Sequence, residues 1–112
     1  MNLWLPNQEE AYIPELKITG YLLSNTHPVG RFKARILREL GYDENNVGAL
    51  VQDFLDIAHN RHVTESVETR YGTKYVIDGV LMSPDGRSLQ VRTVWIIDAD
   101  DLSPRFVTAY PI

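Results

Sequence analysis

The chain has 112 residues, with 11 basic against 15 acidic side chains, a formal net charge of −4 and no cysteine. A disulfide scaffold, a thiol nucleophile, an iron–sulfur cluster and cysteine-ligated zinc are therefore excluded, and a mildly acidic chain does not coat nucleic acid by bulk charge. With 44% hydrophobic and 23% charged residues, the composition is that of an ordinary globular protein, and the length suits one domain over 1–112.

The first dozen residues hold Pro6 and the acidic pair Glu9 and Glu10, with Pro14 just beyond, and read as an irregular arm packed by Trp4 and Tyr12. No basic stretch followed by an apolar one marks a signal peptide, and no apolar run nears the roughly 18 residues of a membrane helix. A cytosolic protein without a membrane partner is expected. Residues 13–60 form the helical part. Leu16 to Leu23 admits a short helix that Gly20 and the β-branched Ile18 and Thr19 disfavour, so its assignment stays open. Gly30 to Leu40 is helical: Phe32, Ile36, Leu37 and Leu40 share one side, Arg31, Arg35, Arg38 and Glu39 the other, and Gly41 stands where a C-cap glycine belongs. A further helix runs from about Val47 to His59 with Asn45 or Asn46 as N-cap. Its apolar side holds Val47, Leu50, Val51, Phe54, Leu55, Ile57 and Ala58, while Gln52, Asp53, Asp56 and His59 point away.

Residues 62–111 then read with a period of two. Val63 to Arg70 is a polar strand, Tyr71-Gly72-Thr73 a turn, and Lys74 to Met82 the next strand. Ser83-Pro84-Asp85-Gly86 is a strong turn, because proline presets φ and glycine supplies the left-handed residue. Arg87 to Asp98 is the longest strand, followed by an acidic loop from Ala99 to Ser103 and a last strand from Arg105 to Tyr110. Helices followed by consecutive strands predict an α+β fold, with two or three N-terminal helices packed on a four-stranded antiparallel meander.

Candidate chemistry is sparse. No glycine-rich phosphate loop or G-x-S-x-G elbow is present, and no cofactor is expected. His59 and His62 make an H-x-x-H pair that with Glu65 suits a metal, but at a helix end a histidine also simply suits the dipole; no metal is expected. More informative is Thr26-His27-Pro28-Val29-Gly30-Arg31-Phe32-Lys33. His27 precedes a helix start, as a cap or as a proton-transfer group. Lys33 stands inside the apolar arc, where it either snorkels outward or charges a partly buried site. Arg31, Arg35 and Arg38 form a basic stripe, read either as a solvated face or as a phosphate-binding one. In the strands, Arg92, Thr93, Thr108 and Tyr110 are polar-tipped. Thr108 and Tyr110 alternate with Phe106 on one face, opposite Val107 and Ala109. In the functional reading these polar tips face His27 and Lys33 across a helix–sheet groove.

The stretches Ile13-Pro14-Glu15-Leu16-Lys17, Gly20-Tyr21-Leu22-Leu23, Thr26 to Ala34, Tyr71-Gly72-Thr73-Lys74-Tyr75, Thr93 to Ile97 and Pro104 to Pro111 resemble a small bacterial domain of unknown function. That domain is common in cyanobacteria and is marked by a His-Pro motif and a terminal Thr-Ala-Tyr-Pro. A looser similarity, resting on element order and the histidine–lysine–threonine–tyrosine set, is to the barnase, EndoU, colicin and RelE-like ribonuclease toxins. It implies a metal-independent ribonuclease-like module. His27 would act as general base or acid, Lys33 with Arg92 or Arg35 would stabilise the phosphorane, and Thr108 and Tyr110 would orient phosphate or protonate the leaving group. The alternative is a non-enzymatic binding module. RNA or a small protein is the expected partner, and the polar strand Val63–Arg70 suits an edge for pairing, including a homodimer.

Overall fold

The computed structural model describes residues 3–24, 26–27, 30–83 and 86–112. After a short 3₁₀ turn at Gln8–Glu10 come three helices: α1, an α-helical turn Glu15–Lys17 that widens into a π-helical turn Ile18–Leu22; α2, Gly30–Leu40; and α3, Val47–Asn60. Four strands follow, β1 Glu65–Thr69, β2 Gly72–Met82, β3 Ser88–Asp98 and β4 Arg105–Pro111, in one antiparallel sheet of order β1-β2-β3-β4. The α+β architecture is thus a meander carrying the helices on one face. The helical assignment left open at Leu16 to Leu23 resolves as the wide turn: Ile18, Leu22 and Leu23 are all buried, and the Leu23 N–H reaches back to the Ile18 carbonyl at 2.8 Å. Burying three apolar side chains outweighs the modest helix propensities of Ile18, Thr19 and Gly20.

The core lies where α3 crosses the sheet. Leu50, Phe54, Ile57 and Ala58 meet Ile77, Leu81, Val91, Trp95 and Phe106. The Phe106 ring stands between Phe54 and Trp95, with centroids 5.2 and 5.3 Å away. Thr93 belongs to this core rather than to a groove. Its fully buried hydroxyl donates to the Ile77 carbonyl at 2.7 Å and accepts the Trp95 Nε1–H at 2.9 Å, so it satisfies the indole donor that burial would otherwise strand.

Several expectations are corrected by packing. The arm is held by Leu5, 2% exposed, while Trp4 and Tyr12 are 45% and 42% exposed. It is also less irregular than expected: Leu3 bridges Val63 and Tyr12 bridges Arg105 beside β4. On α2 the buried side runs through Gly30, Ala34, Leu37 and Leu40, leaving Phe32 56% and Ile36 36% exposed. Two small residues let α2 lie close against its neighbours, and this rotates the apolar arc away from Phe32. Asp53, expected to point away, accepts a hydrogen bond from the buried Tyr42 hydroxyl. On β4 the expected alternation breaks at Val107. Trp95 pairs with Phe106 and Val94 with Thr108, so Val107 is an extra residue. Phe106 and Ala109 are therefore both buried, and Thr108 and Tyr110 take the other side. Gly86 has the left-handed φ of 88° expected of it and bonds the Ser83 carbonyl, while the intervening Pro84 and Asp85 lie outside the described residues, as does Pro28.

Thr93→Val keeps volume but removes both hydrogen bonds. Urea unfolding is expected to show a loss of about 1–3 kcal/mol with unchanged denaturant slope, the cost of stranding the Trp95 N–H.

Candidate functional site

Beside the outer edge of β4, α1 and the start of α2 form one wall of an open groove of about 760 Å³. Gly30 makes the wall compact: a Cβ there would lie 2.1 Å from the Tyr21 carbonyl oxygen, so only glycine lets α2 begin against the π-helical turn. That approach brings the half-buried Tyr21 beside Lys33, one helical turn into α2. The Lys33 ammonium donates to the Tyr21 hydroxyl at 2.5 Å and to Thr108 Oγ1 at 2.9 Å, and the two hydroxyls lie 3.4 Å apart. Three elements thus meet at one cation. Tyr110 stands nearby, its ring centroid 5.8 Å from the Lys33 nitrogen.

His27 lines the same groove, its ring edge-on to Tyr21 at 4.9 Å. Its Nδ1 accepts the Gly30 N–H at 3.0 Å and its carbonyl accepts the Arg31 N–H, so it caps α2. With Nδ1 accepting from Gly30, the neutral tautomer of the ring is the one protonated on Nε2. For Tyr21, burial raises the phenol pKa, but the hydrogen bonds it accepts from Lys33 and Thr108 and the charges of Lys33 and Lys17 outweigh it, so the net shift is downward from 10.0. The lining includes Lys17, Lys33 and Arg105 and, among the described residues, no carboxylate. Arg105 reaches Asp98 at 3.3 Å.

Of the residues singled out in the sequence, His27, Lys33, Thr108 and Tyr110 share this groove. Arg92 does not. It is Tyr110's cross-strand neighbour, but Asp78 engages it through two bonds at 2.8 and 3.0 Å and holds it protonated. Arg38 is likewise engaged: it pairs with Glu44 and donates to the Leu23 carbonyl at 2.6 Å, tying α2 to the end of α1. Arg31 and Arg35 remain on the exposed side. His59 bonds the Gln8 carbonyl and His62 packs on Trp4, so the two histidines serve different neighbours. Sequence reading missed Tyr21, Lys17 and Arg105. Lys17 and Tyr21 are four apart, the spacing of a shared helix face, but that signal needs the helix that Gly20 obscured.

Because the folded-state pKa of Tyr21 lies below 10.0, its ionisation favours the folded state. The contribution is full above 10.0 and is lost as pH falls through the lowered value. Phenolate absorbance, taken as wild type minus Tyr21→Phe, is expected to rise below pH 10.0. In Lys33→Met, burial should move it above that value. Gly30→Ala should cost at least about 1–3 kcal/mol by overpacking and abolish the early phenolate signal.

Comparison with known proteins adds a fold and a family. No curated protein matches the chain. The fold is similar to a chain from a structure described as a contact-dependent growth inhibition toxin–immunity protein complex from Klebsiella pneumoniae 342, with a TM-score of 0.71 and 19% identity, over 93% of this chain and 95% of that one. At that identity the likeness concerns the fold. The family match spans residues 4–112, nearly the whole chain and every residue of the groove: the protein belongs to the domain-of-unknown-function family DUF6883.

Proposed function

We propose that the protein is a toxin-related, metal-independent ribonuclease-like module. One observation carries the reading: on a chain of net charge −4, the groove gathers Lys17, Lys33, Arg105, His27, the Tyr110 ring and the hydroxyls of Tyr21 and Thr108 with no carboxylate among its described lining. Such a lining suits an anion that gains charge during reaction. The fold neighbour from a toxin–immunity complex supports the toxin-related part of the reading.

In this mechanism a phosphodiester sits against Lys33. Tyr21, whose phenolate the Lys33 charge favours, takes the proton of the 2′-hydroxyl. The 2′-oxygen then bonds to phosphorus while the bond from phosphorus to the 5′-oxygen breaks. Tyr21 hands its proton to that leaving oxygen, giving a 2′,3′-cyclic phosphate and a 5′-hydroxyl. Lys33 and the Nε2–H of His27 stabilise the pentacoordinate phosphate, and Thr108 holds the Lys33 ammonium in place. Tyr110 flanks the phosphate. Arg92 is left to its ion pair with Asp78, and Arg35, on the exposed side of α2 and outside the groove lining, takes no part in the chemistry.

A second reading, a binding module that engages a small protein without chemistry, is favoured by the same neighbour, whose complex pairs a toxin with an immunity protein. Incubation with total RNA separates the two. Wild type is expected to leave 2′,3′-cyclic ends with or without EDTA, Lys33→Met to lose about 10²–10³-fold, and Tyr21→Phe about 10²–10⁴-fold. His27→Ala should lose less than Lys33→Met. RNA left intact by wild type, or cut equally by Lys33→Met, sinks the ribonuclease reading and leaves the binding module.

A further inference from the structure

We propose that the outer face of α2 is a single-strand track leading RNA into the groove, an inference that rests on the ribonuclease reading above. Around α2, at about 100° per residue, Lys33 is followed by Ile36, Phe32, Arg35 and Arg31, in steps of roughly 60°, 40°, 60° and 40°. The path covers rather more than half of the helix circumference, about 17–21 Å. It starts at the groove, because Ile36 stands with Lys33 and Tyr110 around a small crevice beside β4. It ends in an open concavity lined by Arg31, Arg35, Arg38 and Glu39.

Three features of this face suit a single strand. Phe32, the one aromatic residue of α2, is 56% exposed, and the Arg31 guanidinium lies 4.9 Å from its ring centroid, a platform on which an unpaired base stacks. Among the described residues, neither Arg31 nor Arg35 has an acidic partner, unlike Arg38 with Glu44, Arg92 with Asp78 and Arg105 with Asp98. Charge is the third feature: on an acidic chain these two guanidiniums stand one turn apart on the helix that carries Lys33. A duplex hides its base faces and offers Phe32 nothing to stack on. Glu39 lines the same concavity one helical turn beyond Arg35, so the track is confined to the first two turns of α2.

The test uses the full chain and three probes: a labelled, uncleavable 2′-O-methyl oligouridylate of about twelve nucleotides, a duplex of equal length, and the dinucleotide UpA. Wild type should bind the single strand at least about tenfold more tightly than the duplex. Phe32→Ala should weaken that binding about 5–100-fold and Phe32→Trp restore it, as stacking requires. In Arg31→Gln/Arg35→Gln the slope of log affinity against log salt should fall by about 1.4, or about 0.7 per phosphate. UpA cleavage, which needs only the groove, should stay within about threefold in every track variant. Wild-type-like binding by both the Phe32→Ala and the double variant, or equal binding of duplex and single strand, overturns the track while UpA cleavage keeps the ribonuclease reading. If wild type neither cuts UpA nor binds either strand, the ribonuclease reading falls and the track with it.

Discussion

The close approach of α2 to the π-helical turn is the constraint on which the site depends. Where Gly30 lies against the Tyr21 carbonyl there is no room for a side chain. That contact sets where α2 starts, and so where a lysine three residues later can reach. From there the Lys33 ammonium spans to Tyr21 and across to Thr108 on the sheet edge. His27 secures the junction, since its ring accepts the Gly30 N–H and packs edge-on to Tyr21. Steric exclusion, a cap and a shared cation act together on a few residues.

The sheet contributes through one irregularity. An extra residue at Val107 lets Phe106 and Ala109 both enter the core while Thr108 and Tyr110 face outward beside the groove. Phe106 is fixed from two sides by Phe54 and Trp95, and Trp95 by the Thr93 hydroxyl. The bulged edge strand is therefore anchored by the aromatic core and presents Thr108 from a rigid support. The arm residue Tyr12 covers the start of the same edge with a parallel bridge to Arg105, which leaves the rest of that edge to the groove.

Charge is unevenly spent. Arg38, Arg92 and Arg105 are drawn into pairs with Glu44, Asp78 and Asp98, and Arg38 holds the Glu44 carboxyl down at about 2. Of the other cations, Lys17 and Lys33 stand at the groove and Arg31 and Arg35 on α2, so a chain of net charge −4 still presents a locally positive surface there. Position matters here more than the sum.

Much was legible in the residues. The periods of 3.6 and 2 marked α2, α3 and four strands in order, because amphipathic spacing is a local property that burial enforces. A lysine inside an apolar arc and a histidine before a helix were conspicuous for the same reason, and they do line one groove. Tyr21 was not visible as their partner, since its turn forms only when Ile18, Leu22 and Leu23 are buried by the rest of the chain. Nor did the sequence distinguish Arg31 and Arg35 from Arg38 and Arg92, because ion pairs join residues 6 and 14 positions apart that only folding brings together. Local pattern determined the elements and their order; the tertiary structure decided the phase of β4, the rotation of α2 and which charges were left over, because each of these is set by contacts between distant segments.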